Sequence, residues 1–143
     1  MAYEREVFEN NTFVDAARVL NKFDAALFAM SKSGEVVWTN EQPEEDFAAQ
    51  DVVVTASAEP KFFEIEFSTY TTASDVRLTT GKLPIEYGTQ LQVAYSSAMR
   101  SRAVAVTVDN LTVTFTFELA KNVASTASTS AKYGVPQRIR LYY

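Results

Sequence analysis

Apolar and polar residues alternate with a period of two through most of the chain, most plainly in Leu111-Thr-Val-Thr-Phe-Thr-Phe-Glu-Leu119. Such alternation sends successive side chains to opposite faces of a β-strand, one toward a core and one toward water. A short apolar run at Asp51 to Thr55 reads as another strand, and the alternation recurs at Lys61 to Thr69, Val76 to Thr80 and Leu83 to Tyr87. It recurs again at Leu91, Val93 and Tyr95, and from Arg102 through Val104, Val106 and Val108, which alternate with small residues. Turn chemistry separates these runs at Thr80-Gly81-Lys82, at Gly88 and at Asp109-Asn110, a pair that tolerates the positive φ of a two-residue hairpin loop. Seven or eight strands with short connections, and no helix-length segments between them, predict an all-β fold. The expected form is an antiparallel β-sandwich or jelly-roll-like domain rather than a parallel α/β sheet. Its predicted core is lined by Phe63, Ile65, Phe67, Leu91, Val93, Val104, Val106, Val113, Phe115 and Phe117.

Two regions break the period of two. Near the N-terminus, Thr12 and Asp15 have the spacing of a capping box, and Phe13, Ala16, Leu20, Phe23, Leu27 and Met30 recur at intervals of three and four. This predicts one helix over 12–23, preceded by an arm over 1–11. Residues 24–31 are open between continued helix and a strand that turns at Ser31-Lys-Ser-Gly34 into Glu35-Val-Val-Trp38. The segment Ser31-Lys-Ser-Gly-Glu-Val-Val-Trp-Thr-Asn40 resembles one hairpin of a PAS-type sensor; the resemblance spans about ten residues, and the strand-rich remainder follows a different pattern. Near the C-terminus, Asn122-Val-Ala-Ser-Thr-Ala-Ser-Thr-Ser-Ala131 carries almost no side-chain volume, so it buries little area against its ordering entropy and predicts a tether. Residues 133–143 then regain β-prone, aromatic character and end in Arg138-Ile-Arg-Leu-Tyr-Tyr143.

Composition narrows the chemistry. The 143 residues include no His and no Cys, the side chains that supply most neutral-pH proton shuttles, thiol nucleophiles and transition-metal ligands. A single domain of this length buries roughly 70% of its unfolded surface, and 47% hydrophobic content builds that core without crosslinks. No apolar run is long enough to span a membrane, and the opening Met-Ala-Tyr-Glu-Arg-Glu lacks the apolar centre of a signal peptide. Asn10-Asn11-Thr12 and Asn110-Leu111-Thr112 match the N-glycosylation pattern, but without a signal peptide they read as chance.

Charge divides along the chain. Residues 1–95 hold 16 acidic and 7 basic side chains; residues 96–143 hold 2 and 6. An acidic body discourages nucleic-acid binding except through the basic C-terminal third. There Arg100, Arg102, Lys121, Lys132, Arg138 and Arg140 are expected first of all to be solvated; the alternatives are pairing with the acidic part of this chain or of a neighbouring one, or contact with a small anion. A tether followed by a β-prone end is the layout of an arm that pairs with its own sheet edge or adds a strand to a neighbour. Arg138, Ile139, Arg140, Leu141, Tyr142 and Tyr143 are therefore the expected oligomer contact.

Candidate chemistry is sparse. Glu64 and Glu66 share a strand face and have the residue types of a glycosidase pair, but Glu-x-Glu on the solvent side of a strand is ordinary. Glu41, Glu44, Glu45, Asp46 and Asp51 could hold a hard cation, yet they lack the ligand spacing and central Gly of a calcium loop. Thr129-Ser-Ala-Lys132 matches a Ser-x-x-Lys dyad only loosely, with Thr at the nucleophile position. The alternating Thr112, Thr114 and Thr116 would suit an ice-binding surface only if repeated on other strands. The glycines at 34, 81, 88 and 134 are isolated, so no phosphate-binding loop is formed, and basic residues do not interleave with the aromatics as single-strand binding would require.

The expectation from these readings is a non-enzymatic, cofactor-free, self-assembling structural protein. It would bind itself and, as a second partner class, other virion proteins, as a bacteriophage capsid, cement or tail subunit does. The competing expectation is a β-sandwich binding module for a carbohydrate or protein partner, with Trp38 and either Tyr70 or Tyr87 as its aromatic platform.

Overall fold

Period-two alternation becomes pleated strand almost wherever it occurs. The computed structural model describes residues 20–22, 34–72, 77–95, 98–125 and 127–143. Among them run β1 (Glu35–Thr39), β2 (Gln50–Thr55), β3 (Phe62–Tyr70), β4 (Arg77–Thr79), β5 (Leu83–Pro84), β6 (Thr89–Tyr95), β7 (Ala98–Asp109), β8 (Thr112–Phe117), β9 (Ala120–Asn122), β10 (Thr129–Ser130) and β11 (Tyr133–Tyr142). The chain divides into two units, Met1–Ser33 and Gly34–Tyr143, and all of these strands belong to the second. Of the helix predicted over 12–23, residues 20–22 are helical; its remainder, the arm over 1–11 and the open stretch 24–31 lie outside the described residues.

Two antiparallel sheets form a sandwich-like fold. Sheet A has the order β1-β11-β3-β4, with β5 also on β3. Sheet B has the order β10-β9-β7-β8-β2, with β6 on the other side of β7. Phe63, Ile65 and Phe67 of sheet A face Leu91, Val93, Val104, Val113, Phe115 and Phe117 of sheet B, all buried as their alternation predicts. Val106 packs at the margin of this core, half-exposed, where β7 runs out toward its hairpin tip. That tip turns one residue later than predicted. Asp109 pairs with Thr112, so Asn110-Leu111 is the two-residue loop, and Asn110 takes the positive φ (53°) that asparagine tolerates. The strand expected over Leu83 to Tyr87 stops at Pro84, whose carbonyl accepts from the Tyr87 amide and folds the chain into a turn.

Of the two alternatives open for residues 133–143, the structure shows pairing within the chain, and at an inner position rather than at an edge: β11 lies in sheet A, paired to β1 on one side and to β3 on the other. With both edges occupied within the chain, it has no free ladder to offer a neighbour. Val135, Ile139 and Leu141 are fully buried, so the apolar content read as an interface belongs to the core. Pro136 is tolerated in an inner strand because a register shift between Pro136 and Arg138 removes the need for its missing N–H. The side chain of Gln137, turned inward there, donates to the Pro43 carbonyl and to Ser68 Oγ.

The tether expected over 122–131 instead contains a small hairpin. Lys121 pairs with Thr129, the Asn122 amide donates to the Ser128 carbonyl at 3.1 Å, and Asn122 Oδ1 accepts from the Ala124 amide at 2.9 Å. Backbone and asparagine hydrogen bonds supply the order that the small side chains do not.

Candidate interaction surfaces

Five of the six basic residues of the C-terminal third are engaged inside the chain, while Lys132 stands exposed in the turn before β11. Arg102, expected among the surface cations, is fully buried because it shares the phase of Val104 on β7. Its five N–H donors all find carbonyl oxygens. Nε and Nη2 reach Tyr133 (3.1 and 2.9 Å), Nη2 also reaches Ala131 (3.0 Å), and Nη1 reaches Phe47 (2.9 Å) and Glu118 (2.8 Å). Burial pushes its pKa down to about 10, still far above neutrality, and the carbonyl dipoles favour the charged form. Arg102 therefore ties together the acidic loop, the β8–β9 junction and the β10–β11 turn.

Arg100 donates to the Ser128 carbonyl and lies 5.1 Å from the ring centre of Tyr133; Lys121 pairs with Glu118 at 2.6 Å. Arg138 and Arg140 lie on the outer face of sheet A. Arg140 donates to Glu66 Oε1, and Arg138 Nη1 is 3.8 Å from Glu66 Oε2. Glu64 beside them accepts from the hydroxyls of Thr79 and Tyr142, and these two hydrogen bonds hold its pKa below the usual carboxylate range. Burial and the same Glu64 contact push the Tyr142 hydroxyl up. Both carboxylates of the Glu-x-Glu pair are thus bound to structural partners. Of the residues expected at an oligomer contact, Ile139 and Leu141 are in the core. Arg138, Arg140 and Tyr142 serve this outer network, and Tyr143 donates to Glu35.

The acidic loop carries Glu41, Glu44, Glu45 and Asp46 outward, with Asp51 exposed on β2, while Phe47 between them plugs the core against Phe117 at 5.3 Å. Among the described residues no group of three or more carboxylates gathers as a metal site. Thr129 to Lys132 forms β10 and the turn after it. The aromatic candidates go to separate places. Trp38 turns onto Phe47 at 6.1 Å, and Tyr70 stacks on Tyr95 at 4.5 Å with Tyr133 against both. Tyr87 stands exposed in the turn after β5. Sequence reasoning missed Tyr95 and Tyr133 as partners of Tyr70, a pairing that depends on which strand ends meet.

The outer face of sheet B is different in kind. Ala105, Thr107 and Asp109 of β7 sit opposite Thr116, Thr114 and Thr112 of β8, which sit opposite Asp51, Val53 and Thr55 of β2. Gln90 and Gln92 of β6 sit opposite Ala103 and Ser101. The centre of this face is small and neutral; Asp51, Asp109 and Glu118 stand at its rim. Val53 is 61% exposed on it, and Met99 and Val123, bonded through their backbones at one corner, are each 57% exposed. Because Ala103 and Ala105 are short, the face dips into a shallow depression between Gln90, Gln92, Thr116 and Glu118. Among the described residues no helix is long and apolar enough to cross a membrane.

Comparison with protein-family models, with curated proteins and with solved structures returns no match.

Proposed function

We propose that this chain is a non-enzymatic, self-assembling structural subunit, and that the assembly is an extended shell or tube of the kind from which virions are built. The observation that carries this reading is the outer face of sheet B. A neutral lattice of small side chains, with exposed Val53, Met99 and Val123 and a charged rim, has the layout of a protein contact: depleted of charge at the centre and polar at the edge. The outer face of sheet A, by contrast, is covered by ion pairs and hydrogen bonds made within the chain. A face used on one side of a sandwich, and strand edges available at right angles to it, give non-equivalent contacts. A subunit that uses more than one such contact extends an assembly beyond a single pair.

Sedimentation velocity and electron microscopy of the purified full chain test the reading. Rings, shells or tubes that form with rising concentration support it, and Ala105→Arg on the neutral face is expected to weaken them while the circular dichroism stays that of a β-sandwich. A monomer at high concentration overturns it. A second reading, a binding module for a carbohydrate or protein partner, rests on the depression lined by Gln90, Gln92, Thr116 and Glu118, whose amides and carboxylate suit hydroxyl-rich ligands. Saturable binding of an oligosaccharide, lost in Gln92→Ala, would favour it.

A further inference from the structure

We infer that β6 is the edge through which two copies of this chain join, strand to antiparallel strand about a two-fold axis at Gln92. The inference rests on the reading of the chain as a self-assembling subunit and names one of its contacts.

Sheet edges expose unpaired N–H and C=O groups, and proteins ordinarily guard them with charge, proline, bulges or brevity. Most of the edges among the described residues carry such guards. The register of β1 on β11 breaks between Val36 and Trp38, β4 has three residues and Arg77, β10 has two residues, and β2 carries Asp51. Among the described residues the side of β6 turned away from β7 has none of them. Thr89 to Tyr95 pairs with β7 over seven consecutive residues without a shift, and the strand contains no charge and no proline. No strand among the described residues pairs with its other side.

The sequence of β6 says what fits there. About a two-fold axis through its middle residue, Gln92 meets Gln92 of the second copy, Leu91 meets Val93, Gln90 meets Ala94 and Thr89 meets Tyr95. Leu91 and Val93 are already buried in the core of their own chain, so the inner side brings no charge to the contact, while amide and methyl groups meet on the outer side. Each chain carries a net charge of −5, so two copies repel wherever acidic surface meets acidic surface; this edge is neutral. A two-fold contact of this kind is self-complementary by construction.

Gln92 is exposed on the outer face, so it can be changed without disturbing the core. The experiment compares sedimentation of the full-length wild type, Gln92→Lys, Gln92→Glu and their equimolar mixture, with the neutral Gln92→Thr as control. The expected result is that each charged variant alone dimerises about tenfold more weakly, because like charges oppose across the axis. The mixture restores a heterodimer, and Gln92→Thr behaves as wild type. Wild-type assembly that neither charged variant alters overturns the β6 contact and leaves the self-assembly reading standing. Weakening that the mixture does not rescue overturns the two-fold register. A wild type that stays monomeric overturns both.

Discussion

The carbonyl oxygen of Phe47 accepts a hydrogen bond from Nη1 of Arg102 at 2.9 Å, and the guanidinium carbon of Arg102 lies 5.6 Å from the centre of the Phe47 ring. The Phe47 amide also donates to the Ala131 carbonyl, which accepts from Arg102 Nη2, so the acidic loop and the β10–β11 turn are clasped by one side chain. Among the described residues no carboxylate pairs with it; four carbonyl oxygens accept its N–H donors instead. Removing the guanidinium leaves those oxygens without their donors, the Phe47 carbonyl at a buried site and the others at part-buried ones. Arg102→Met is expected to cost about 3–5 kcal/mol. Arg102→Lys should cost at least about 2 kcal/mol, since an ammonium cannot span the same fork. Urea unfolding followed by Trp38 fluorescence measures both. A loss below about 1 kcal/mol for Arg102→Met would show that water replaces the guanidinium freely.

A methyl group at Gly88 would lie 2.8 Å from the Val104 carbonyl oxygen, a backbone atom fixed in the β6–β7 ladder. Gly88→Ala should therefore destabilise the domain by about 1–3 kcal/mol. The loss should be concentrated in the hydrogen-exchange protection of β6 rather than of β11. Uniform loss across both sheets would place the strain elsewhere.

Arg102 also marks the limit of what the sequence discloses. The alternation that put Val104 in the core put Arg102 on the same side, yet its charge drew it toward the surface group of cations. Phase was the better guide than residue type. The core facing residues such as Ile65 and Phe115 were readable because period-two spacing is local. The inner position of β11 was not. Ile139 pairs with Ile65 across 74 residues, and neither the pairing nor the bulge that admits Pro136 leaves a local trace. The hairpin at Asn122 was hidden because its order comes from backbone hydrogen bonds, which side-chain volume does not report. The neutral face of sheet B was visible as threonines on one strand, but becomes a surface only when β2 and β7 align beside β8.

Acid should loosen the outer face of sheet A. Hydrogen bonds from Thr79 and Tyr142 lower the pKa of Glu64, so its contribution is fully present above the ordinary carboxylate range and is lost as pH falls through the lowered value. Glu64 is partly exposed, which limits the effect to about 1 kcal/mol. Glu64→Gln should lower stability at neutral pH and flatten its decline below about pH 4. Unfolding midpoints measured across that range check it; parallel curves for the two proteins would assign the acid sensitivity to other carboxylates.

Deleting residues 133–143 should abolish folding of the sandwich rather than release a dispensable arm. The deletion removes the strand between β1 and β3, with Val135, Ile139 and Leu141 fully buried, and it strips Arg102 of the Tyr133 carbonyl that accepts both Nε and Nη2. Burial of three aliphatic side chains alone contributes roughly 5–9 kcal/mol, as much as a domain of this size has in total. Among the described residues the edge strand β1 would keep no partner in sheet A. Far-ultraviolet circular dichroism and amide dispersion in a proton–nitrogen correlation spectrum are expected to be those of an unfolded chain. A truncated protein with a dispersed, β-rich spectrum would show that β1 and β3 can close on one another, and that β11 is dispensable to the core.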